Sequence, residues 1–156
     1  MSTPRHRLIW NAIVTRLQGI TVANGYTTNV RTVVKSPGTV GWTNIAPHDR
    51  PWIGVIAQSR FPTAEPRRWR ERAVYDLVCL LTASSEADKY NAVDALEDDI
   101  RKAIGTDMRW GTNPDDNDPN AVMTNIIEVK TDDITEPLQG ALIMTIEVTY
   151  YREFFA

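Results

Sequence analysis

Residues able to do chemistry are few in this chain: two histidines, one cysteine and a short run of aspartates. His6 falls at the start of a predicted helix and His48 in a loop, and neither has a second His or Cys at metal-ligand spacing. Cys79 is the single cysteine, so an internal disulfide framework is excluded. It lies in a strand pattern and reads as a small core residue. Asp115, Asp116 and Asp118 invite a calcium test. Placing Asp116, Asp118 and Asn120 at positions one, three and five of an EF-hand loop puts Ala121 where glycine is needed and Ile127 where the bidentate Glu belongs. The test fails, and a solvated loop is the expectation. Neither a Gly-rich phosphate loop nor a Gly-x-Ser-x-Gly elbow is present. The expectation is a protein that is not an enzyme, with no cofactor and no metal.

The local anomaly is basic. Arg67, Arg68, Trp69, Arg70 and Arg72 crowd one stretch, and strand alternation puts Arg68, Arg70 and Arg72 on one face with Trp69 on the other. Arginine interleaved with an aromatic can bind nucleic acid. Arg and Trp are also enriched at the energetic centres of protein interfaces. The plain alternative is charge that keeps an exposed strand soluble. Because the chain is acidic overall, DNA is disfavoured as the principal ligand, and partner docking is the favoured reading.

Those residues must be carried by elements the sequence announces. Thr3 can cap a helix with Pro4 at its first position, and Leu8, Ile9, Ala12, Ile13, Leu17 and Ile20 give its apolar stripe. Gly25 stops it. Arg5, His6 and Arg7 in its first turn oppose the helix dipole. Strands are predicted at 27–35 and 52–61, separated by a Pro/Gly-punctuated loop, with "PTAEP" as a turn. A long strand at 67–83 follows, too long for a small sheet, so its first third must project as a hairpin arm or bend. A second helix at 86–104 starts at Ser85 with Asp88 in a capping-box arrangement and ends at Gly105. Its inward stripe is Tyr90, Val93, Leu96, Ile100, Ala103 and Ile104. Strands at 122–130 and 139–151 complete the order α-β-β-β-α-β-β, with "EPLQG" as the turn region between them. Such an order implies an α+β fold with a mostly antiparallel sheet.

With 156 residues, 42% of them hydrophobic, the chain suits one domain over 1–156. It has no apolar run of membrane-spanning length and no signal-peptide pattern, so the expectation is a cytosol-like compartment and no membrane partner. Net charge is −3, but unevenly spread: residues 1–72 carry 11 Lys+Arg against 3 Asp+Glu, and residues 73–156 carry 6 against 17. The halves therefore stand at +8 and −11. Either the fold intermixes them or they mark complementary surfaces.

The chain closes on a strand, "GALIMTIEVTYYREFFA", that ends in Phe154 and Phe155 rather than in polar residues. An amphipathic first helix ending "GYTTNV", a strand beginning "PWIGV", a strand "AVYDLVCLLTA" feeding "DALEDDIRKAI", and the final "TIEVTYY" together resemble the tail terminator (tail completion) proteins of long-tailed bacteriophages. The resemblance covers nearly the whole chain through element order rather than catalytic signatures. It implies a homo-oligomeric ring, typically a hexamer, at the head-proximal end of the virion tail, assembled in the host cytoplasm. Such a ring caps the tail tube protein, stops tube polymerisation and meets the neck or connector protein, while genomic DNA passes through its lumen without specific binding. A neck or connector-adjacent protein is the alternative within that class; a small nucleic-acid-binding α+β module using Arg67–Arg72 is the alternative outside it. In the ring reading, Phe154 and Phe155 pack against a neighbouring subunit or the tube, and heterologous contacts join the +8 half to a neighbour's −11 half.

Overall fold

The structure is a computed structural model that describes residues 3–36, 45–132 and 139–153. Most of the predicted loop after the first strand, the 133–138 turn region and Phe154 and Phe155 lie outside those residues. Helix α1 (Arg5–Gln18) begins one residue later than the Thr3/Pro4 reading, because Pro4 is extended at ψ 142° and stands outside the helix as its cap residue. No side chain caps it; the Pro4 carbonyl accepts from the Arg7 and Leu8 amides. The unfavourable Arg5 at the positive helix end is compensated from elsewhere. Its guanidinium donates to Asp116 at 2.8 Å and to the Pro119 carbonyl at 2.6 Å.

Helix α2 (Glu86–Thr106) starts as predicted, with the Ser85 hydroxyl accepting from the Asp88 amide at 3.2 Å. The helix passes through Gly105 to Thr106. Val93, Leu96, Ile100, Ala103 and Ile104 are buried, but Tyr90 is half exposed and Lys89 is buried in its stead. Gly140 supplies the reason: a side chain there would collide with Val93 and the Lys89 stem, so its absence makes room for that stem against the sheet.

Five strands form one sheet in the order β1-β2-β3-β5-β4: β1 (Thr32–Ser36), β2 (Trp52–Glu65), β3 (Arg68–Thr82), β4 (Met123–Asp132) and β5 (Gln139–Glu153). β1 runs parallel to β2 and every other pair is antiparallel, giving the expected α+β class. β1 is shorter than predicted. Thr27 and Thr28 instead lie in a loop whose amides donate to the buried Asp99 carboxylate, at 3.1 and 2.7 Å.

The predicted turn "PTAEP" is corrected: β2 continues through Pro62, Thr63, Ala64 and Glu65. β1 pairs with β2 only as far as Ile56, so beyond that point β2 borders no described strand on its other side. A missing amide hydrogen is tolerated on such an edge. The reversal falls on Pro66 and Arg67, between the paired Glu65 and Arg68. Proline fixes a negative φ at the first turn position, which excludes the mirror-image hairpin turns and leaves the positive φ, 75°, to Arg67. That region favours glycine. Arg67→Gly should therefore stabilise the fold by about 0.5–1 kcal/mol. A denaturant melt reads this directly, and a lower midpoint would contradict it.

α1 and α2 cover one face of the sheet. Ile9, Ile13 and Leu17 of α1 and the α2 stripe pack on Ile53, Val55, Leu77, Cys79, Leu142, Met144 and Ile146, so Cys79 is the core residue expected. The other face carries neither α-helix. Its proximal half holds a smaller cluster, Trp52, Ile56, Val78 and Leu80, flanked by Val34, Ile45 and Ile143. Trp52 closes this cluster by lying flat across Gly54, where a Cβ would sit 2.5 Å from the indole.

Candidate interface on the long hairpin

β2 and β3 form the projected hairpin, but it is not a free two-stranded arm. β5 accompanies β3 along its whole length, from Gln139 opposite Thr82 to Glu153 opposite Arg68. The described end of the chain thus lies beside the hairpin tip. An isolated two-stranded ribbon is marginal in water, and the third strand supplies the missing cross-strand partners. β4 stops opposite Thr149, leaving the tip as three strands.

A bulge sets which side chains this extension presents. Ala57 pairs with Tyr75 and Ser59 with Val74, so Gln58 is the extra residue. Its amide nitrogen donates to Asp76 at 2.8 Å. The insertion inverts the alternation of β2. Beyond it Phe61, Thr63 and Glu65 stand on the helix-free face, opposite Arg72, Arg70 and Arg68 of β3. β5 adds Thr149, Tyr151 and Glu153 to the same rows.

The three arginines therefore share a face, as alternation predicted, with Trp69 on the opposite one and Arg67 at the turn. Sequence reasoning missed their partners. The Arg68 guanidinium lies 3.5 Å from the centre of the Tyr151 ring and 3.6 Å from Glu65. Arg70 approaches Glu65 at 3.7 Å, and Arg72 lies 3.5 Å from Glu147 with Phe61 beneath it at 5.5 Å. These are long, half-exposed pairs, each worth about 0–1 kcal/mol. Counting Arg68, Arg70 and Arg72 against Glu65, Glu147 and Glu153, this face is neutral.

The opposite face of the extension holds a polar cluster that the sequence reading did not identify. Glu71 is 6% exposed and accepts a hydrogen bond from the Tyr150 hydroxyl, with Arg152 at 3.9 Å. Burial pushes the Tyr150 phenol well above its ordinary pKa, and the Glu71 carboxylate adds to the effect. Tyr75, raised likewise by burial, donates to the His6 carbonyl at 2.8 Å. His6, at the helix start as expected, is thus partly buried. A signal was available: Glu71 falls in the inward phase of β3 with Ala73, Tyr75 and Leu77, and a carboxylate there demands a partner.

The acidic loop is built by its own side chains. The Asp115 amide donates to the Asn113 side chain at 2.9 Å and the Asp118 amide to Asp116 at 2.9 Å, while the Asn120 amide group holds the Trp110 carbonyl at 2.8 Å. Among the described residues no three His, Cys, Asp or Glu side chains converge as a metal site would require. The charge asymmetry of the sequence is partly consumed inside one chain, where Arg5 meets Asp116 at 2.8 Å, Arg16 meets Asp107 at 3.6 Å and Arg72 meets Glu147 at 3.5 Å. No described helix is long and apolar enough to cross a membrane. No protein-family model matches the sequence, and a search of curated proteins finds no match.

Proposed function

We propose that this chain is a non-enzymatic structural subunit of a phage tail terminator ring, whose hairpin extension docks on a neighbouring subunit or on the tail tube. One observation carries the reading. A three-stranded extension presents Phe61, Arg68, Arg70, Arg72 and Tyr151 together on a helix-free face. Phe61 is 47% exposed, and the three arginine side chains are 44–47% exposed despite their ion pairs. Arginine stacked on tyrosine and phenylalanine is the composition of interface centres, and a neutral face suits a protein partner. DNA binding draws its affinity from net positive charge, so the balance of Arg68, Arg70 and Arg72 by Glu65, Glu147 and Glu153 disfavours the nucleic-acid alternative. The element order and the mostly antiparallel α+β sheet agree with the resemblance drawn from the sequence.

The internal pairing decides how the reading is tested. Reversing the arginines to glutamate would set new carboxylates against Glu65 and Glu147 and unsettle the extension itself. Replacing Arg68, Arg70 and Arg72 with Gln removes the stacking cations without that repulsion. The triple variant should keep its far-UV circular dichroism and lose ~1–3 kcal/mol of stability. Ring particles in negative stain, and incorporation into virions encoded by the same genome, should be lost. Normal incorporation of the variant would refute the docking role. A virion lacking the wild-type protein would overturn the ring assignment.

A further inference from the structure

The first turn of α1 meets the base of the hairpin extension at His6, whose carbonyl accepts from the Tyr75 hydroxyl of β3 and whose ring faces β2. Arg60 of β2 lies 3.0 Å from the Nδ1 atom of His6. A guanidinium has only donors, so Nδ1 must be the acceptor and His6 must be neutral, its proton on Nε2. Around the ring stand Arg7 of α1, Arg60 of β2, Glu71 and Tyr75 of β3, and Tyr150 and Arg152 of β5. Three of these are cations and one is a carboxylate. That carboxylate is already engaged by Tyr150 and lies near Arg152. The cleft flanking this contact, about 250 Å³, is lined by Arg7, Trp10, Gln58 and Ser59 as well as His6 and Arg60.

We propose that His6 and Arg60 form an acid-released latch between α1 and the base of the extension. It does not depend on ring assembly. Protonating Nδ1 removes the acceptor that the His6 ring offers to Arg60 and sets two cations about 3 Å apart. The tyrosines do not compensate: the raised pKa of Tyr75 keeps it a donor to the His6 carbonyl over the whole range, so the backbone tether stays while the side-chain tether breaks. Burial and Arg60 hold the pKa of His6 below its ordinary 6.5. The sign follows. The unfolded chain takes up the proton first as pH falls through 6.5, so the latch's contribution is complete above that value. It declines below 6.5 and is gone once the pH is under the folded pKa.

The chain has two histidines, so the His6 imidazole resonance is assigned by its loss in His6→Gln. The wild-type His6 resonance should titrate below the ordinary imidazole value of 6.5. The His6 midpoint in an Arg60→Gln variant should move back up toward 6.5. Amide exchange at Leu8, Ile9 and Trp10, corrected for intrinsic rates, should accelerate roughly tenfold relative to Ile13 and Leu17 between about pH 7 and pH 5. His6→Gln offers Arg60 an amide oxygen that does not titrate, so its exchange ratio should stay flat over that range. The latch is overturned if His6 titrates at or above 6.5, or if the wild-type exchange ratio is flat with pH. An acid-induced rise in His6→Gln equal to that of the wild type overturns it as well.

Discussion

Trp110→Ala should cost about 3–5 kcal/mol, lowering the melting temperature by roughly 10 °C. Trp110 is 1% exposed and follows the end of α2, where it joins three parts of the chain. Its indole N–H donates to the Thr124 hydroxyl of β4 at 2.7 Å, and Thr124 in turn donates to the Met108 carbonyl at 2.8 Å. The Arg16 guanidinium of α1 lies over the ring at 4.1 Å. The Trp110 carbonyl accepts from Asn120 at 2.8 Å, closing the acidic loop. Removing the ring opens a cavity, deprives Thr124 of its donor and frees Arg16 to move. Trp110→Phe separates these effects, since it restores most of the volume but not the indole donor; its loss should be about 1–2 kcal/mol. Denaturant unfolding measures both. A loss below about 1 kcal/mol for the alanine variant would show that the loop is not anchored here.

Asp99→Ala is expected to cost about 2–4 kcal/mol, because it leaves two backbone amides without an acceptor in a site water does not freely enter. Asp99 is 4% exposed on α2 and accepts from Thr27 at 3.1 Å and Thr28 at 2.7 Å. These bonds hold the loop that leads into β1. Asp99→Asn retains one acceptor oxygen and should lose about half as much. Hydrogen exchange at Thr27 and Thr28 should accelerate in both variants while amides in β3 keep their protection. Unchanged exchange at those two amides would assign the loop's order to other contacts.

The helix-free face decides how much of the proposed interface could be read in advance. Alternation placed Arg68, Arg70 and Arg72 together because side chains on one strand repeat every two residues, a property of that strand alone. It could not place Glu65, Phe61, Glu147 or Tyr151 beside them. Those positions depend on register, and the register of β2 depends on a single extra residue at Gln58. A one-residue insertion moves every later side chain to the other face, and nothing local in "VIAQSRF" marks it. The charge asymmetry failed as a guide for a related reason. Formal charge adds along the sequence, whereas Arg5 and Asp116, 111 residues apart, cancel in space.

The sequence by itself determined the element order, the α+β class, the two helices and the burial of Cys79. Helical and strand periodicity are short-range signals, written within one or two turns of chain. One cap was legible, Ser85 and Asp88, which lie three residues apart and meet as expected, whereas the Thr3 cap of α1 and the Gly105 end of α2 were not formed as read. Only the tertiary structure decided where β2 turns, because Pro62 is excluded from a strand paired on both sides but tolerated on an edge, and edges exist only in a sheet. It alone brought Glu71 to Tyr150, His6 to Arg60 and Asp99 to Thr27 and Thr28. Each of these contacts joins residues more than 50 positions apart. A buried polar group requires a partner, but the requirement names no position; the fold chooses it by what it brings within hydrogen-bond reach.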